Sequence, residues 1–452
     1  ASTYAFMRAS RAGGPSRAVG VGLLLGLAQL AKFTNLVLYL AWPIMALLRP
    51  RGCELPTTRR QQFGDGFLIV VVSLLMINAG YLFDGSFTRL GDYSFVSKPL
   101  RGSATDAIEP EFEPKGNRFH ESPLGGVPVP LPRDYVLGID AQRAEFDAGY
   151  FSYLRGELRH RGWWEYYLHA LLVKVPLGWL GLFGASLVLS AARVFRGEGR
   201  AADLALLVVP LLILLLVSSQ TGFNHHMRYI LPIFPFVIVF MSCAAALVRR
   251  PLSPGGVLVL GLALLGTVEG ATAHPHSMSY FNEYAGGPAN GDAHLVDSNL
   301  DWGQDLLWLK RWLDRHSEAT PLHLGYYNLK VDPRLFGIEF ALPPPAPNGL
   351  FPDDPDYLDR FGPHPGYHAV SVNFLRGLRM SAPDGRGGWT LIPLHAYSYF
   401  RDLRPIARAG YSIRIYHLNR EQADAARRRM GLPPLVNDGP REESPTRGRS
   451  NR

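Results

Sequence analysis

The chain has 452 residues, of which 47% are hydrophobic and 19% are charged, and its formal net charge is +8. A basic balance fits nucleic acid, anionic lipid or membrane topology. The arginines stand beside apolar blocks, so topology is the preferred interpretation and no nucleic-acid partner is expected. The two cysteines, Cys53 and Cys243, indicate neither a disulfide framework nor a metal site.

Residues 1–83 contain the first membrane helices of the predicted architecture. Residue 1 is Ala and no signal peptide precedes the first apolar block, so we expect a chain whose N-terminus is missing. Residues 1–7 have the pattern of the end of a helix, and residues 66–83 form a predicted span. Between them, residues 18–48 are almost entirely apolar, which allows one tilted span or a hairpin of two short spans.

A polar stretch covers residues 84–164, and the remaining membrane helices are predicted within 165–271. The polar stretch ends in an aromatic belt, as is common where a chain re-enters a bilayer. The predicted spans that follow are 165–192, 203–219, 229–248 and 256–271.

The distribution of arginine orients these spans, because positive charge near span ends marks the cytoplasmic side. Arginine-rich links are 8–17, 49–60, 193–200 and 249–250. The other links are 84–162, 221–228 and everything after 271. The two sets alternate only if 18–48 is a hairpin, since one span would put Arg17 and Arg49 on opposite sides. We therefore predict a hairpin, about seven spans, and an outward-facing loop and C-terminal region.

The predicted fold is a polytopic α-helical membrane bundle with a small extracytoplasmic α/β domain formed by residues 272–419. Apolar residues recur at helical spacing within Asp301–His316. Strands are predicted by alternation and β-branched or aromatic content at Leu322–Tyr327, His368–Phe374 and Tyr411–Leu418. Residues 420–452 are charged, with Pro and Gly, and are predicted to be a disordered basic tail.

Two lysines stand within or beside apolar blocks. A charge at bilayer depth costs roughly 2.5–3.5 kcal/mol on insertion scales, so it usually has a partner or a task. Lys32 would lie near the turn of the hairpin, close to the outer interface, where an ammonium can bind a lipid phosphate. Lys174 also suits that interface. For both residues the alternative is snorkelling to headgroups without function, and for Lys174 it is preferred.

The link between two predicted spans, Asn224 to Tyr229, is compact and polar. Arg228 can fork onto a phosphate with two hydrogen bonds. His225 and His226 could donate to the same group or shuttle a proton. Adjacent histidines do not easily aim both rings at one metal, so no metal site is predicted, and an interfacial arginine anchor is the structural alternative.

The segment from Asp297 to Asp305 is rich in oxygen ligands, including Asn299 and Asp301. Its start resembles a calcium loop, but the twelfth position is Trp308 rather than Glu. The structural alternative is a helix N-terminus with Asp301 as cap and Asp305 in the first turn. A turn that faces a sugar acceptor or an active site is left open.

Among the carboxylates of the predicted outer loop, six are taken as candidates for an acid or base beside the membrane. Composition does not choose among them. They are Asp92, Asp134, Asp140, Glu145, Asp147 and Glu157.

Taken in order, several segments resemble glycosyltransferase family 39, which includes protein O-mannosyltransferases and bacterial aminoarabinose transferases. The match covers roughly residues 18–330, and its motifs are specific as an ordered set. The matching segments are Gly26–Thr34, Leu131–Gly138, Gly162–Tyr167, Lys174–Leu177, Arg228–Pro235, His274–Pro275, Tyr280–Glu283, Gly286–Pro288 and Asp297–Asp305.

The resemblance implies a GT-C fold with its active site on the outer face of the membrane. Such enzymes transfer a sugar from a polyprenyl-phosphate donor, usually with inversion at the anomeric carbon. An acidic residue in the first outer loop acts as base, and because that loop would precede residue 1, no catalytic residue is assigned. The resemblance places Lys32 and Arg228 near the lipid phosphate, and the spans counted here would be the second half of the bundle.

The predicted function is transfer of a sugar from a polyprenyl-phosphate-linked donor to an unidentified acceptor on the outer face of the cytoplasmic membrane. The alternatives are a non-enzymatic polyprenyl-lipid transporter or scaffold, and an oligosaccharide ligase that uses an undecaprenyl diphosphate donor. An outward carboxylate upstream would favour an enzyme. No cofactor is assigned, and a divalent cation is left open. The predicted donor-phosphate ligands are Lys32, Lys174, His225, His226 and Arg228.

Overall fold

The computed structural model describes residues 1–48, 58–102, 115–198, 201–327, 331–347 and 355–436. It consists of two compact units. The first comprises Ala1–His274 and Phe281–Ala285, and the second comprises Pro275–Tyr280 and Gly286–Arg452.

The first unit is built mainly from α-helices. One antiparallel hairpin is formed by β1 (Phe151–Leu154) and β2 (Glu157–His160). Short 3₁₀ segments cover Phe33–Val37, Met227–Ile233 and Ser242–Leu247. The helices are α1 (Ser2–Ala12), α2 (Pro15–Ala31), α3 (Leu38–Leu47), α4 (Arg59–Gly80), α5 (Lys98–Arg101), α6 (Arg133–Ala148), α7 (Tyr166–Lys174), α8 (Leu177–Phe195), α9 (Ala201–Ser219), α10 (Phe234–Met241) and α11 (Pro254–Thr272).

Within the described residues, four helical stretches are long and apolar enough to cross a membrane. They are Arg60–Gly80, Leu177–Phe195, Met227–Leu247 and Pro254–Thr272. Shorter apolar helices cover Pro15–Ala31, Phe33–Leu47 and Ala205–Ser219. Because about 20 residues span a bilayer, the four long stretches have the composition of a membrane protein, and the seven spans stay a prediction.

The apolar block predicted as one span at 165–192 consists of two helices. α7 ends at Lys174, and α8 begins at Leu177. Val175 between them is extended, with φ −90° and ψ 134°. Proline at 176 causes the break, because it disfavours helical backbone in the residue before it and has no N–H to donate.

The chain reverses direction at Lys32, in the middle of the apolar block 18–48. Lys32 has extended backbone, with φ −167° and ψ 131°. The Asn35 side-chain amide donates to the Ala28 carbonyl at 2.7 Å, and the Gln29 side chain donates to the Asn35 carbonyl at 3.0 Å. These bonds hold the residues after Lys32 against the last turn of α2, and the hairpin of two spans stays a prediction.

Helices α2 and α4 pack at close range through glycine. A Cβ atom on Gly22 would lie 2.7 Å from the Val72 Cβ, and one on Gly26 would lie 2.5 Å from the Met76 Cβ. Both distances are shorter than van der Waals contact, so no larger side chain fits at either position. Small residues allow such close approach of helix backbones.

The second unit contains a four-stranded mixed sheet. Its strand order is β3-β4-β8-β7, in which β3 and β4 are parallel and the other pairs are antiparallel. Strands β5 and β6 form a separate antiparallel pair. The elements are α12 (Leu306–Leu313), β3 (Leu322–Gly325), α13 (Pro355–Leu358), β4 (Gly366–Ser371), α14 (Val372–Leu375), β5 (Met380–Pro383), β6 (Trp389–Ile392), β7 (Ala407–Ala409), β8 (Ile413–Leu418) and α15 (Arg420–Arg429).

The core of this unit forms where α12 packs on the sheet. Leu306 and Leu309 of the helix join buried residues of the sheet, including Leu324, Ala369 and Ile415. The three predicted strands correspond to β3, β4 and β8, displaced by a few residues at their ends. The helix predicted over 301–316 is shorter, because the aspartate-rich segment before Leu306 bonds elsewhere in the unit.

The predicted disordered tail is wrong for residues 420–436. Asn419 caps α15 in a reciprocal capping box, which fixes the start of the helix. Arg427 is fully buried, and its Nε donates to the Pro433 carbonyl at 2.8 Å. Carbonyl partners and the Asp359 carboxylate, 3.4 Å from the guanidinium, thus satisfy a charge that composition treats as solvated. The rest of the predicted tail, 437–452, lies outside the described residues.

Candidate functional site

The fold brings Lys32 and Arg228 together. The Lys32 Nζ donates to the main-chain oxygen of Arg228 at 3.3 Å, although 196 positions separate the two residues. Lys32 stands at the reversal between α2 and α3, and Arg228 lies in the 3₁₀ segment Met227–Ile233. Two helix breaks therefore place the Lys32 ammonium beside the backbone of Arg228.

The charges of this pair are not neutralised locally. In the part of the chain that the structure describes, neither side chain forms an ion pair with a carboxylate. Arg228 is exposed and Lys32 is half-buried. The Arg228 guanidinium lies 5.9 Å from the centre of the Tyr229 ring. A planar guanidinium beside an ammonium is an arrangement that suits phosphate oxygens.

Helix α6 of the 84–164 stretch packs beside both cations. Its Tyr135 ring contacts Phe33, which follows Lys32, with centroids 5.2 Å apart. Its Phe146 ring lies 6.1 Å from the ring of Tyr229, which follows Arg228. A Cβ on Gly138 would lie 2.8 Å from the Phe33 ring, so glycine is what allows this approach. Helix α6 thus packs against the residues that directly follow Lys32 and Arg228.

The link that carries Arg228 is held by Asn224. The Asn224 Oδ1 accepts from the Trp163 N–H at 2.5 Å, and the Asn224 N–H donates to the Ser152 hydroxyl at 2.8 Å. A Cβ on Gly162 would lie 1.9 Å from the Asn224 Oδ1. The β1–β2 hairpin and the start of the α7 segment therefore fix the link, which keeps the position of Arg228 defined.

The two histidines of the link contact different partners. The His225 Nε2 lies 2.9 Å from the Phe151 carbonyl, and its ring packs 4.8 Å from the Phe223 centroid. His226 is buried and stacks on Tyr229 at 4.6 Å. Both rings help to hold the link through these separate contacts.

Lys174 ends helix α7 and lies over an aromatic ring. Its Nζ is 4.5 Å from the centre of the Phe281 ring, within the range of a cation–π interaction. The next residue, Asn282, donates from its side chain to the carbonyls of Leu172 and Val175 at 2.7 Å and 2.8 Å. Lys174 is therefore part of the contact that joins 281–285 to α7.

Two of the six candidate carboxylates in the 84–164 stretch have structural partners. Asp140 is buried and accepts from the main-chain N–H groups of Val96 and Ser97 at 2.6 Å and 3.1 Å. Asp147 forms an ion pair with Arg143 at 3.1 Å. Asp140 thus orders the start of α5, a role that composition could not distinguish from acid–base chemistry.

In the second unit, Asp297 is held by hydroxyl groups. Its carboxylate accepts from the Tyr327 hydroxyl at 2.9 Å and from the Ser298 hydroxyl at 2.6 Å. Its N–H donates to the Asn373 Oδ1 at 2.7 Å. Burial, with the nearby Asp297 charge second, raises the pKa of Tyr327 well above its usual value, so Tyr327 stays a donor. The backbone of Asp297 is left-handed, with φ 61°.

Asp301 and its neighbours tie the same turn to the end of β4. Asp301 accepts from the Ser371 hydroxyl at 2.7 Å and from the Gly303 N–H at 2.9 Å. Burial raises the pKa of Asp301 to about 7.

The prediction of Asp301 as helix cap is wrong, since Asp305 holds the position before α12 and makes no side-chain cap bond. Asn299 is buried, and its side chain donates to the Val296 carbonyl at 3.0 Å.

Asp305 is fully buried and accepts from the main-chain N–H groups of Tyr411 and Ser412 at 2.9 Å and 2.8 Å. Its other oxygen lies 3.5 Å from the His276 Nδ1. A Cβ on Gly410 would lie 2.1 Å from the Asp305 carboxyl carbon, so glycine leaves room for the carboxylate. Sequence reasoning missed His276, whose only signal was a place beside the His274–Pro275 segment.

The calcium-loop alternative finds no support in this geometry. Asp297, Asp301 and Asp305 each accept from protein donors that a cation would have to displace. Over the described ranges, no three histidine, cysteine or acidic side chains are grouped to hold a metal ion. The described contacts of the segment are those of a structural turn, and a role toward an acceptor stays a prediction.

An open cleft of about 290 Å³ lies beside this turn, within the second unit. Trp302 on its wall is half exposed, and the Tyr326 hydroxyl donates to the Gly303 carbonyl at 3.1 Å. A mostly apolar cleft with a few polar groups is typical of small-ligand sites. The lining residues are Met278, Trp302, Gly303, Gln304, Leu306, Leu307, Tyr326, Val331 and Phe336.

In comparisons with known protein families, with curated proteins and with solved structures, no match was found. The functional assignment therefore depends on the geometry of the site. The family resemblance of the ordered motifs stays a prediction.

Proposed function

We propose that this protein is a membrane glycosyltransferase that moves a sugar from a polyprenyl-phosphate-linked donor to an acceptor on the outer face of the cytoplasmic membrane. The observation that carries the proposal is the 3.3 Å contact from the Lys32 Nζ to the Arg228 main-chain carbonyl, which brings the Lys32 ammonium to the residue that carries the second cation. Both stand at breaks in apolar helices, where a lipid headgroup can reach them.

Sugar transfer from such a donor makes a phosphate the leaving group. The acceptor hydroxyl attacks the anomeric carbon, the bond from that carbon to the phosphate oxygen breaks, and the hydroxyl proton passes to a base. Negative charge grows on the departing polyprenyl phosphate. Arg228 and Lys32 would stabilise that charge more strongly in the transition state than in the bound donor, which is what accelerates a reaction.

The test is Arg228→Ala in the full-length protein, assayed for turnover with a panel of polyprenyl-phosphate sugars. A hydrogen bond to a charged group contributes about 1.5–3 kcal/mol, and loss of an oxyanion donor lowers rates by about 100-fold or more. We expect transfer to fall by at least that factor, with membrane insertion intact. Lys32→Met should weaken transfer in the same direction.

Arg118→Ala is the matched control, because Arg118 is an exposed arginine of the same unit whose guanidinium donates to the Pro99 carbonyl at 3.0 Å. It should retain wild-type turnover. Wild-type turnover by Arg228→Ala would remove Arg228 from the site. If no sugar in the panel is transferred while polyprenyl phosphate still binds through Arg228, the protein is a lipid transporter or scaffold and the enzyme assignment is wrong.

A further inference from the structure

The first unit has a concave site at the end of its helices that is opposite to the Lys32–Arg228 pair. It is a cavity of about 510 Å³ between the end of α8, the 3₁₀ segment Ser242–Leu247 and the start of α11. Arg193, Arg196 and Arg249 line it. The remaining lining is mostly apolar or small, from Leu189, Ala192, Ala246, Leu247, Ser253, Pro254 and Gly255, with Glu198 as the acidic member.

The cavity lies at one common end of three candidate membrane spans. Helices α8 and α11 are antiparallel, because a Cβ on Gly178 would meet Gly266 at 2.3 Å and one on Gly181 would meet Leu262 at 2.8 Å. The C-terminal end of α8 therefore lies beside the N-terminal end of α11. A cavity at this level is at the membrane interface, where headgroups lie.

The third wall is fixed to α8 by Ser186. Its hydroxyl donates to the Met241 carbonyl at 2.9 Å and accepts from the Ala244 N–H at 3.1 Å. These bonds hold the start of the 3₁₀ segment Ser242–Leu247 against α8, and Arg249 follows directly. Arginines from two different links are thus held at one cavity by the packing of the helices.

The cavity has an excess of positive charge. Arg193 is paired with Asp203, its Nη1 lying 3.5 Å from the carboxylate. Among the residues that the structure describes, Arg196 and Arg249 form no ion pair with a carboxylate. Both are exposed, so their donors can reach a ligand in the cavity.

Large apolar side chains stand exposed beside these arginines. Phe195 is 90% exposed and Leu252 is 91% exposed. Exposure of these apolar side chains to water is unfavourable, whereas the boundary between headgroups and acyl chains accommodates apolar and basic residues together. The surroundings of the cavity therefore match a bilayer surface.

We propose that this cavity binds the phosphate headgroup of an anionic phospholipid, with Arg196 and Arg249 as the phosphate ligands and Leu189 against the glycerol and upper acyl chain. Basic cavities between spans on the arginine-rich side face the leaflet where anionic lipids are concentrated. The site is separate from the Lys32–Arg228 pair. It requires only that these helices cross a membrane, so it holds even if the proposed function fails.

Native mass spectrometry of the purified protein in detergent tests the site, with phosphatidylglycerol and phosphatidylcholine as probes. The wild-type protein should retain phosphatidylglycerol in preference to phosphatidylcholine. The double variant Arg196→Gln, Arg249→Gln should bind phosphatidylglycerol about 30-fold more weakly, from a factor of about five for each charge removed. Its thermal unfolding in lipid-free detergent should match that of the wild type.

Arg250→Gln is the matched control, because Arg250 is an exposed neighbour that does not line the cavity. It should retain phosphatidylglycerol. Equal loss in this control, or wild-type binding by the double variant, would overturn the proposal. The proposal would also be overturned if inorganic phosphate protected the wild-type protein from thermal unfolding as well as phosphatidylglycerol does, since the cavity would then hold a free anion.

If the double glutamine variant unfolds, Arg196→Lys with Arg249→Lys decides the question. This pair keeps both charges and should still prefer phosphatidylglycerol. A folded lysine pair that binds the two lipids equally would contradict a phosphate site at this cavity.

Discussion

At the scale of single residues, the second unit contains a carboxyl group that folding removes from water. Asp301 is 1% exposed and accepts hydrogen bonds from the neutral donors Ser371 and Gly303. Burial raises its pKa to about 7, whereas an aspartate in an unfolded chain titrates near 3.9. Between these two values the folded state binds the proton more tightly than the unfolded state does.

This difference predicts that stability falls as pH rises from about 4 to about 7, because over that range the folded state must hold a proton that the unfolded state has already released. The whole shift corresponds to a loss on the order of 4 kcal/mol. Asp301→Asn stays neutral and keeps the size of the side chain, so its unfolding should depend less on pH. Denaturant unfolding followed by tryptophan fluorescence at pH 5 and pH 8 measures the effect.

Asp332→Asn is the control for this prediction. The Asp332 carboxylate accepts from Arg334 at 2.7 Å, and this bond lowers its pKa below the ordinary value. It is therefore ionised at both pH values, and its substitution should leave the pH dependence of the wild type unchanged. An equal loss of stability from pH 5 to pH 8 in wild type and Asp301→Asn would show that another group causes it.

The site residues differ in how far the sequence can identify them. Lys32 and Arg228 are visible because a cation in or beside an apolar run is costly, and that cost is a local property. The 3.3 Å contact between them depends on two helix breaks far apart in the chain. His276 gave no such signal, and the oxygen-rich segment that pointed to Asp305 did not indicate its partner. Only the fold brings the two residues to 3.5 Å.

At the scale of elements, α2 and α4 pack through Gly22 and Gly26. The hydrophobic pattern predicts that both segments are helices, but an apolar helix in a membrane has no distinct inward face of the kind that periodicity detects in water. Likewise, the break between α7 and α8 follows from Pro176, a local signal that length-based span prediction passed over. The pattern thus located the apolar blocks better than the breaks within them.

Gly26→Ala should destabilise the first unit. The new Cβ would lie 2.5 Å from the Met76 Cβ and 2.8 Å from the Ser73 carbonyl oxygen, so the helices would have to separate. Overpacking of this kind costs about 1–3 kcal/mol. Thermal unfolding in detergent should show a lower midpoint than in the wild type.

Gly20→Ala is the matched control, because Gly20 lies in the same helix and a Cβ there would have no atom within 4 Å. Alanine also favours helix over glycine, so this variant should unfold at or above the wild-type midpoint. Equal destabilisation by both variants would mean that glycine is needed for something other than the α2–α4 contact.

At the scale of the whole molecule, the open question is how many times the chain crosses the membrane between α7 and the second unit. Four stretches have the length and composition of spans, and α9 is the apolar helix between two of them. The arginine pattern predicts that α9 also crosses, because the arginine-rich link 193–200 precedes it and the link 221–228, which does not belong to the arginine-rich set, follows it. The parity of crossings distinguishes the two counts.

Single cysteines at exposed glutamates, in a chain with Cys53 and Cys243 replaced by serine, can measure that parity. If α9 crosses, four spans separate Glu157 from Glu318 and both lie on one side, with Glu198 on the other. A membrane-impermeant maleimide applied to intact cells should then label Glu157→Cys and Glu318→Cys, and should label Glu198→Cys only after permeabilisation. If α9 does not cross, three spans separate Glu157 from Glu318, and those two positions would label from opposite sides. That outcome would place the second unit on the side of the arginine-rich link 193–200, so it would contradict both the predicted seven spans and the outward C-terminal domain.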